Sequence, residues 1–97
     1  MREAELILRR KGEPDEIFQI QAEETLIGRA PTNDLRFRDE SMSREHAVIL
    51  WEDGSYTIED LQSTNGIRVN GKKLRSSALE DGDEISIGQT QITFVLK

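Results

Sequence analysis

The chain has no cysteine and a single histidine, His46, among its 97 residues. The first absence excludes disulfide bonds, thiolate nucleophiles and metal sites built on sulfur. A metal site made of several histidines is excluded as well. No apolar run approaches the length that crosses a bilayer, and no charged segment followed by an apolar one opens the chain. We therefore expect a soluble, cytoplasmic protein without a cofactor, a metal or a membrane partner.

Positive charge is also in short supply, because 13 Lys and Arg residues face 19 Asp and Glu residues, for a net charge of −6. Binding to a nucleic-acid backbone depends on Lys and Arg matched to phosphates, so direct nucleic-acid binding is disfavoured. The same charge repels any acidic partner at long range. Recognition of an anion would therefore require a local cluster of positive side chains rather than the field of the whole protein.

A sustained helical period is missing too, whereas short segments with the period of a strand alternate with turn residues. The Asp53-Gly54 and Asn70-Gly71 pairs predict tight hairpins. The pattern predicts an all-β sandwich or barrel in a single domain over residues 1–97. The predicted strands are Ala4–Arg10, Glu16–Ile20, Thr25–Ile27, Leu35–Phe37, His46–Glu52, Ser55–Asp60, Ile67–Val69, Glu84–Ile87 and Gln91–Leu96.

Three short motifs fall between these strands: Gly28-Arg29, Ser43-Arg44-Glu45-His46 and Ser63-Thr64-Asn65-Gly66. A guanidinium is a planar, permanently charged fork of donors that suits two-point contact with a phosphate. The hydroxyls add short donors, and the amide of Asn65 can bond a peptide backbone as donor and acceptor. The set is suited to holding a phosphate and the backbone beside it, and it lacks the groups needed to break a bond.

The order and spacing of the motifs resemble those of the forkhead-associated (FHA) domain, which reads phosphothreonine. The resemblance implies a two-sheet antiparallel β-sandwich of about eleven short strands, with both termini at the end away from the binding loops. The matching segments are Gly28-Arg29, Asn33-Asp34-Leu35, Ser43-Arg44-Glu45-His46-Ala47, Asp60-Leu61, Ser63-Thr64-Asn65-Gly66, Val69-Asn70-Gly71, and Leu79 through Asp81-Gly82-Asp83 to Ile87-Gly88.

The resemblance also implies a role for each motif residue. Phosphate contacts are expected from Arg29, Ser43, Arg44 and Thr64. Peptide-backbone contacts are expected from Asn65 and, as a secondary candidate behind a structural role in its hairpin, from Asn70. Support of the site is expected from Gly28, His46 and Gly66, with His46 as a buried brace between loops. Selection of residues flanking the phosphothreonine is expected from Arg36, Arg38, Ser41 and Arg68.

The residues alone leave other roles open. Arg29 could form a surface ion pair, Ser43 could close its own turn, and Asn65 could be a positive-φ residue beside Gly66. Ser43 and His46 could form a hydrolytic pair, but no nucleophile elbow or oxyanion-hole motif accompanies them. The acidic run 80–84 lacks the spacing of a calcium loop and is expected to be a solvated turn.

The expected function is a non-enzymatic module, monomeric in isolation, that docks protein segments phosphorylated on threonine by a Ser/Thr kinase. A phosphate-independent interaction or assembly domain on the same fold is the alternative.

Overall fold

The computed structural model describes residues 1–97 and contains eleven β-strands and no helix, so no helix long and apolar enough to cross a membrane is present. The number of strands agrees with the expectation. The strands are β1 (Ala4–Arg9), β2 (Glu16–Gln19), β3 (Glu24–Gly28), β4 (Leu35–Arg36), β5 (Ala47–Glu52), β6 (Ser55–Asp60), β7 (Ile67–Val69), β8 (Lys72–Leu74), β9 (Ser76–Ala78), β10 (Glu84–Ile87) and β11 (Thr90–Leu96).

The strands form two sheets, a six-stranded one with the order β2-β1-β11-β10-β7-β8 and a five-stranded one with the order β4-β3-β5-β6-β9. The pairing of β3 with the two-residue edge strand β4 is parallel, which departs from the expected all-antiparallel arrangement. It arises because the chain turns back after β3 and returns beside it, where the Asp34 carboxylate accepts the backbone N–H of Leu26 at 2.8 Å. The predicted sandwich class is confirmed.

The core lies between the sheets and follows from the alternation of side chains along each strand. In β1, for example, Ala4, Leu6 and Leu8 are buried while the residues between them face outward. One cluster of 19 buried hydrophobic residues fills the interior. Trp51 and Tyr56 are cross-strand partners of the β5–β6 hairpin, with ring centroids 4.7 Å apart in an edge-on arrangement.

Strand register decides which loops meet. Ile27 of β3 pairs with Ala47 of β5, which also pairs with Asp60 of β6. Residues 29–34, 37–46 and 61–66 therefore lie at one end of the sandwich, which we call the loop end. The opposite end holds both termini, since Ala4 pairs with Leu96 and the N–H of Lys97 donates to the carbonyl of Glu3 at 2.9 Å. The expected separation of termini from binding loops is confirmed.

Candidate functional site

The loop that follows β3 is fastened to the loop before β5. A Cβ added to the buried Gly28 would lie 2.9 Å from the carbonyl carbon of Arg44 and 2.8 Å from Nδ2 of Asn33, so only glycine fits. That carbonyl oxygen of Arg44 accepts the N–H of Ala30 at 3.0 Å and Nδ2 of Asn33 at 2.7 Å. The backbone of Arg44 is thus fixed while its exposed side chain projects from the loop end.

Arg29 begins this loop, directly after β3, and its side chain is exposed. Its N–H donates to the carbonyl of Ser43 at 3.0 Å, and its Nε donates to the carbonyl of Met42 at 3.2 Å. The ion pairs of the domain do not include Arg29, so the surface ion pair considered for it is absent. Its Nε donates to this carbonyl, while its two terminal amino groups have no hydrogen-bond partner within the domain and are free to donate to a ligand.

His46 is fully buried and joins two loops. Its Nδ1 lies 2.9 Å from the backbone N of Ser43, and its Nε2 lies 2.7 Å from the carbonyl oxygen of Gly66. Because Nδ1 accepts the Ser43 N–H, the ring proton resides on Nε2 and is donated to Gly66. This geometry gives His46 the bracing role that the sequence indicates.

The same contacts leave no hydrolytic pair. The accepting nitrogen of His46 is already occupied by the backbone N–H of Ser43, and the Oγ of Ser43 instead accepts the N–H of Thr64 at 3.1 Å. A nucleophile activated by a base needs the hydroxyl and the ring nitrogen within hydrogen-bonding reach of each other. The hydroxyl proton of Ser43 remains available to a ligand instead.

The loop after β6 is shaped from within. The Asp60 carboxylate accepts the N–H of Ser63 at 3.2 Å and, in a short contact, its hydroxyl. The Oγ of Ser63 in turn accepts the N–H of Gly66 at 2.8 Å. The positive-φ residues here are Gln62 at 57° and Gly66 at 75°. Asn65 is not among them, so the positive-φ role considered for it is wrong.

Thr64 and Asn65 form the exposed tip of that loop. Thr64 uses its N–H to bond the hydroxyl of Ser43, while its own hydroxyl has no partner within the domain. Asn65 donates from Nδ2 to the carbonyl of Ser41 at 2.8 Å, which leaves its amide oxygen and second N–H for a ligand. The free polar groups of Arg29, Ser43, Thr64 and Asn65 therefore lie on adjoining loops at the loop end.

The structure does not bring Asn70 to this place. Asn70 lies in the β7–β8 turn, at the terminal end of the sandwich, with φ of 52°. Its Nδ2 donates to the Asp83 carboxylate and its Oδ1 accepts the N–H of Glu84, both at 2.9 Å. Both ends of its amide are engaged within the domain, as its primary structural role requires, and we leave it out of the site.

Asp39 supports the site and was not singled out in the sequence. Its Oδ1 accepts the N–H of Ser41 at 2.9 Å, and its Oδ2 accepts the N–H of Gln89 at 2.8 Å and the hydroxyl of Thr90 at 3.0 Å. It thereby fastens residues 37–46 to the turn between β10 and β11. The only sequence signal is an aspartate two residues before a serine, which is common to many turns.

The loop end collects cations that have no acidic partner. Arg29, Arg44, Lys73 and Arg75 have no carboxylate oxygen within 4.0 Å, as is also true of Lys72 at the terminal end. Lys73 was not foreseen as part of this group; its register opposite Arg68 in the β7–β8 hairpin places it there. Beside the exposed acids Glu40 and Glu45, the loop end of an acidic chain thus offers several cations that are free to contact an anion.

Comparison with known proteins identifies the class. The model of the FHA domain matches residues 25–88. The chain therefore belongs to the FHA domain family, whose domain is a non-catalytic binding module. Strands β1, β2 and β11 lie outside the matched residues but complete the six-stranded sheet.

Similarity to individual proteins agrees with the match to the FHA domain family. The chain is 41% identical over 78 residues, 79% of its length and 20% of the relative's, to the transcriptional regulatory protein EmbR of Mycobacterium tuberculosis. It is 33% identical over 90 residues, 93% of its length and 63% of the relative's, to the oxoglutarate dehydrogenase inhibitor of Corynebacterium diphtheriae. The chain thus spans less than two thirds of either relative.

The solved structure of M. tuberculosis EmbR in complex with a low-affinity phosphopeptide superimposes with a TM-score of 0.90 at 35% identity, covering 99% of this chain and 25% of that one. The family and the fold predicted from the sequence are confirmed. The roles of individual site residues stay predictions.

Proposed function

We propose that this domain docks protein segments phosphorylated on threonine at its loop end, without catalysing a reaction. Arg29, Ser43, Arg44 and Thr64 hold the phosphate, and Asn65 bonds the backbone of the bound segment. The observation that carries this proposal is the convergence of unpaired cations and free hydroxyls on two loops that the buried His46 fixes to each other. The partner is the product of a Ser/Thr kinase.

The expected affinity follows from the contacts. A hydrogen bond to a charged group contributes about 1.5–3 kcal/mol. Three or four such bonds, less the cost of ordering a flexible peptide, correspond to a dissociation constant on the order of micromolar. The fixed loops favour binding, because little protein ordering remains to be done when the peptide arrives.

Isothermal titration with one peptide in two forms, phosphorylated and unphosphorylated on a single threonine, tests the proposal. We expect binding of the phosphorylated form and at least tenfold weaker binding of the other. Equal affinities would instead support a phosphate-independent interaction domain. Ser43→Ala should weaken only the phosphorylated form, since it removes one hydroxyl from the phosphate site.

A further inference from the structure

A second feature of the loop end is a cleft that begins at the proposed phosphate site. Thr64 and Gly66 line one side of it, and Lys73, Leu74 and Arg75 line the other. Thr64 therefore faces both the phosphate and the cleft. None of the residues that the sequence suggests for flanking specificity lines this cleft.

The cleft lining carries two cations and one acid. Lys73 and Arg75 are exposed, and neither has a carboxylate oxygen within 4.0 Å. Asp60 is the one acid in the lining, and its two oxygens accept the N–H and the hydroxyl of Ser63. The Asp60 oxygens are thus engaged by the loop, and neither lies within 4.0 Å of the two cations, so the lining keeps an excess of positive charge.

The Lys73 side chain is positioned by the loop it crosses. A Cβ built on Gly66 would lie 2.7 Å from Cε and 3.6 Å from Nζ of Lys73. The ammonium therefore rests over the loop backbone, two residues from Thr64, in space that any larger residue at position 66 would occupy. Gly66 is favoured by its φ of 75°, and a larger residue there would displace the Lys73 side chain from this place.

We propose that this cleft is a second anionic subsite, in which Lys73 and Arg75 contact an acidic or phosphorylated side chain near the phosphothreonine of the same peptide. The inference rests on the proposed function, because the phosphothreonine must first place the peptide beside Thr64. A carboxylate and a second phosphate share the required chemistry. The dianionic phosphate should gain more, since it carries the larger charge and more acceptors.

The test compares peptides that differ only in flanking charge. A phosphothreonine peptide with neutral flanks is the reference. One set of variants carries a single aspartate at each flanking position in turn, and a second set carries a second phosphothreonine instead. Each is titrated against the wild type, the double variant Lys73→Ala/Arg75→Ala, and Lys72→Ala. Lys72 is the matched control. It is an exposed lysine on the same strand, β8, but it lies at the terminal end of that strand and does not line the cleft.

For the wild type, at least one acidic position should strengthen binding about threefold to tenfold over the reference, as expected for two solvent-exposed charge pairs. The gain should vanish in the double variant and persist in Lys72→Ala. It should also shrink at high salt, which screens exposed charges. Thermal melts would verify that the double variant is folded. Folding is expected, because Arg75 accepts the N–H of Asp60 with its backbone carbonyl, which an alanine retains.

Two results would overturn the subsite. One is a wild type without preference for any acidic flank. The other is a double variant that loses the same factor for neutral and acidic peptides, which would mean that the cations act only on the phosphothreonine itself. Failure of the proposed function looks different, because the reference peptide would then bind no better than its unphosphorylated form, and both proposals would fall.

Discussion

Replacing His46 by alanine should damage the fold, whereas replacing its neighbour Ser43 should damage binding alone. The imidazole is fully buried and satisfies two groups at once, the N–H of Ser43 and the carbonyl of Gly66. In His46→Ala both lose their partner. Because a buried polar group left unsatisfied costs about 1–3 kcal/mol, the two together give a loss of about 2–6 kcal/mol, before any cost of the cavity.

That loss is large for a domain of this size. At about 0.05–0.15 kcal/mol per residue, the total stability is on the order of 5–15 kcal/mol. A change of 1 kcal/mol shifts the melting temperature by about 4–8 °C for a domain of 60–100 residues. His46→Ala should therefore melt at least about 8 °C below the wild type, and unfolding at ambient temperature is within the expected range.

Ser43→Ala is the matched variant. Its Oγ accepts one hydrogen bond, from the N–H of the exposed Thr64, to which water can substitute. Because this bond is exposed, its net contribution is expected at the low end of the usual range, about 0.5 kcal/mol. The melting temperature should then fall by only about 2–4 °C, while phosphopeptide affinity falls. Differential scanning calorimetry and isothermal titration on both variants decide the matter. A His46→Ala domain that melts like the wild type would refute the bracing role.

Four further outcomes are expected. Arg29→Ala should lower phosphopeptide affinity at least tenfold with little change in melting temperature. The control Lys72→Ala, which removes one positive charge at the terminal end, should leave affinity unchanged. Equal affinities of Arg29→Ala and the wild type in titration would remove Arg29 from the site. Phosphothreonine should bind about fourfold or more tightly than phosphoserine in matched peptides, because burying a methyl group contributes about 0.8 kcal/mol; equal affinity would contradict a methyl contact. Binding should weaken as the pH falls through the second phosphate pKa of about 6, and a flat profile at pH values where melts show a folded domain would mean that the dianion is not recognised. Burial raises the pKa of the Tyr56 hydroxyl above 10.0, so the folded state holds this proton more tightly than the unfolded chain. The resulting stabilisation is fully present below the unfolded pKa and is lost as the pH rises from there through the higher folded pKa. Tyr56→Phe should therefore flatten the alkaline fall in stability, and an unchanged pH slope in denaturant titrations would contradict it.

Prediction of the strands from sequence succeeded where side chains alternate and failed where they do not. β6 and β10 have the predicted bounds, because inward Tyr56, Ile58, Ile85 and Ile87 alternate with outward residues. β8 and β9 were not delimited, since Lys72–Leu74 and Ser76–Ala78 contain no β-branched or aromatic residue and bury little. Their strand conformation comes from pairing with β7 and β6 rather than from their own preferences.

The candidate site shows the same limit at the scale of single residues. Gly28, His46 and Gly66 could be identified from the motifs. Each of them contacts the backbone or side chain of a residue in or near another motif, so residue type and motif spacing together predict a supporting role. Lys73 has no such signal, because its position beside the binding loop depends on the register of a hairpin whose second strand the sequence does not reveal.

The structure also explains why a domain with a net charge of −6 can attract an anion. Each of the three loops at the loop end is held by a polar side chain that bonds a neighbouring residue: Asn33 bonds Arg44, His46 bonds Gly66, and Asp60 bonds Ser63. Asn33 and His46 hold their loops by bonds to backbone carbonyls, and Asp60 holds its loop by accepting from Ser63. Arg29, Arg44, Lys73 and Arg75 have no carboxylate oxygen within 4.0 Å, so their charge is available to a ligand. At physiological salt, charges further apart than a Debye length of roughly 8–10 Å are largely screened, so a partner at the loop end interacts mainly with the nearby cations and only weakly with distant acids.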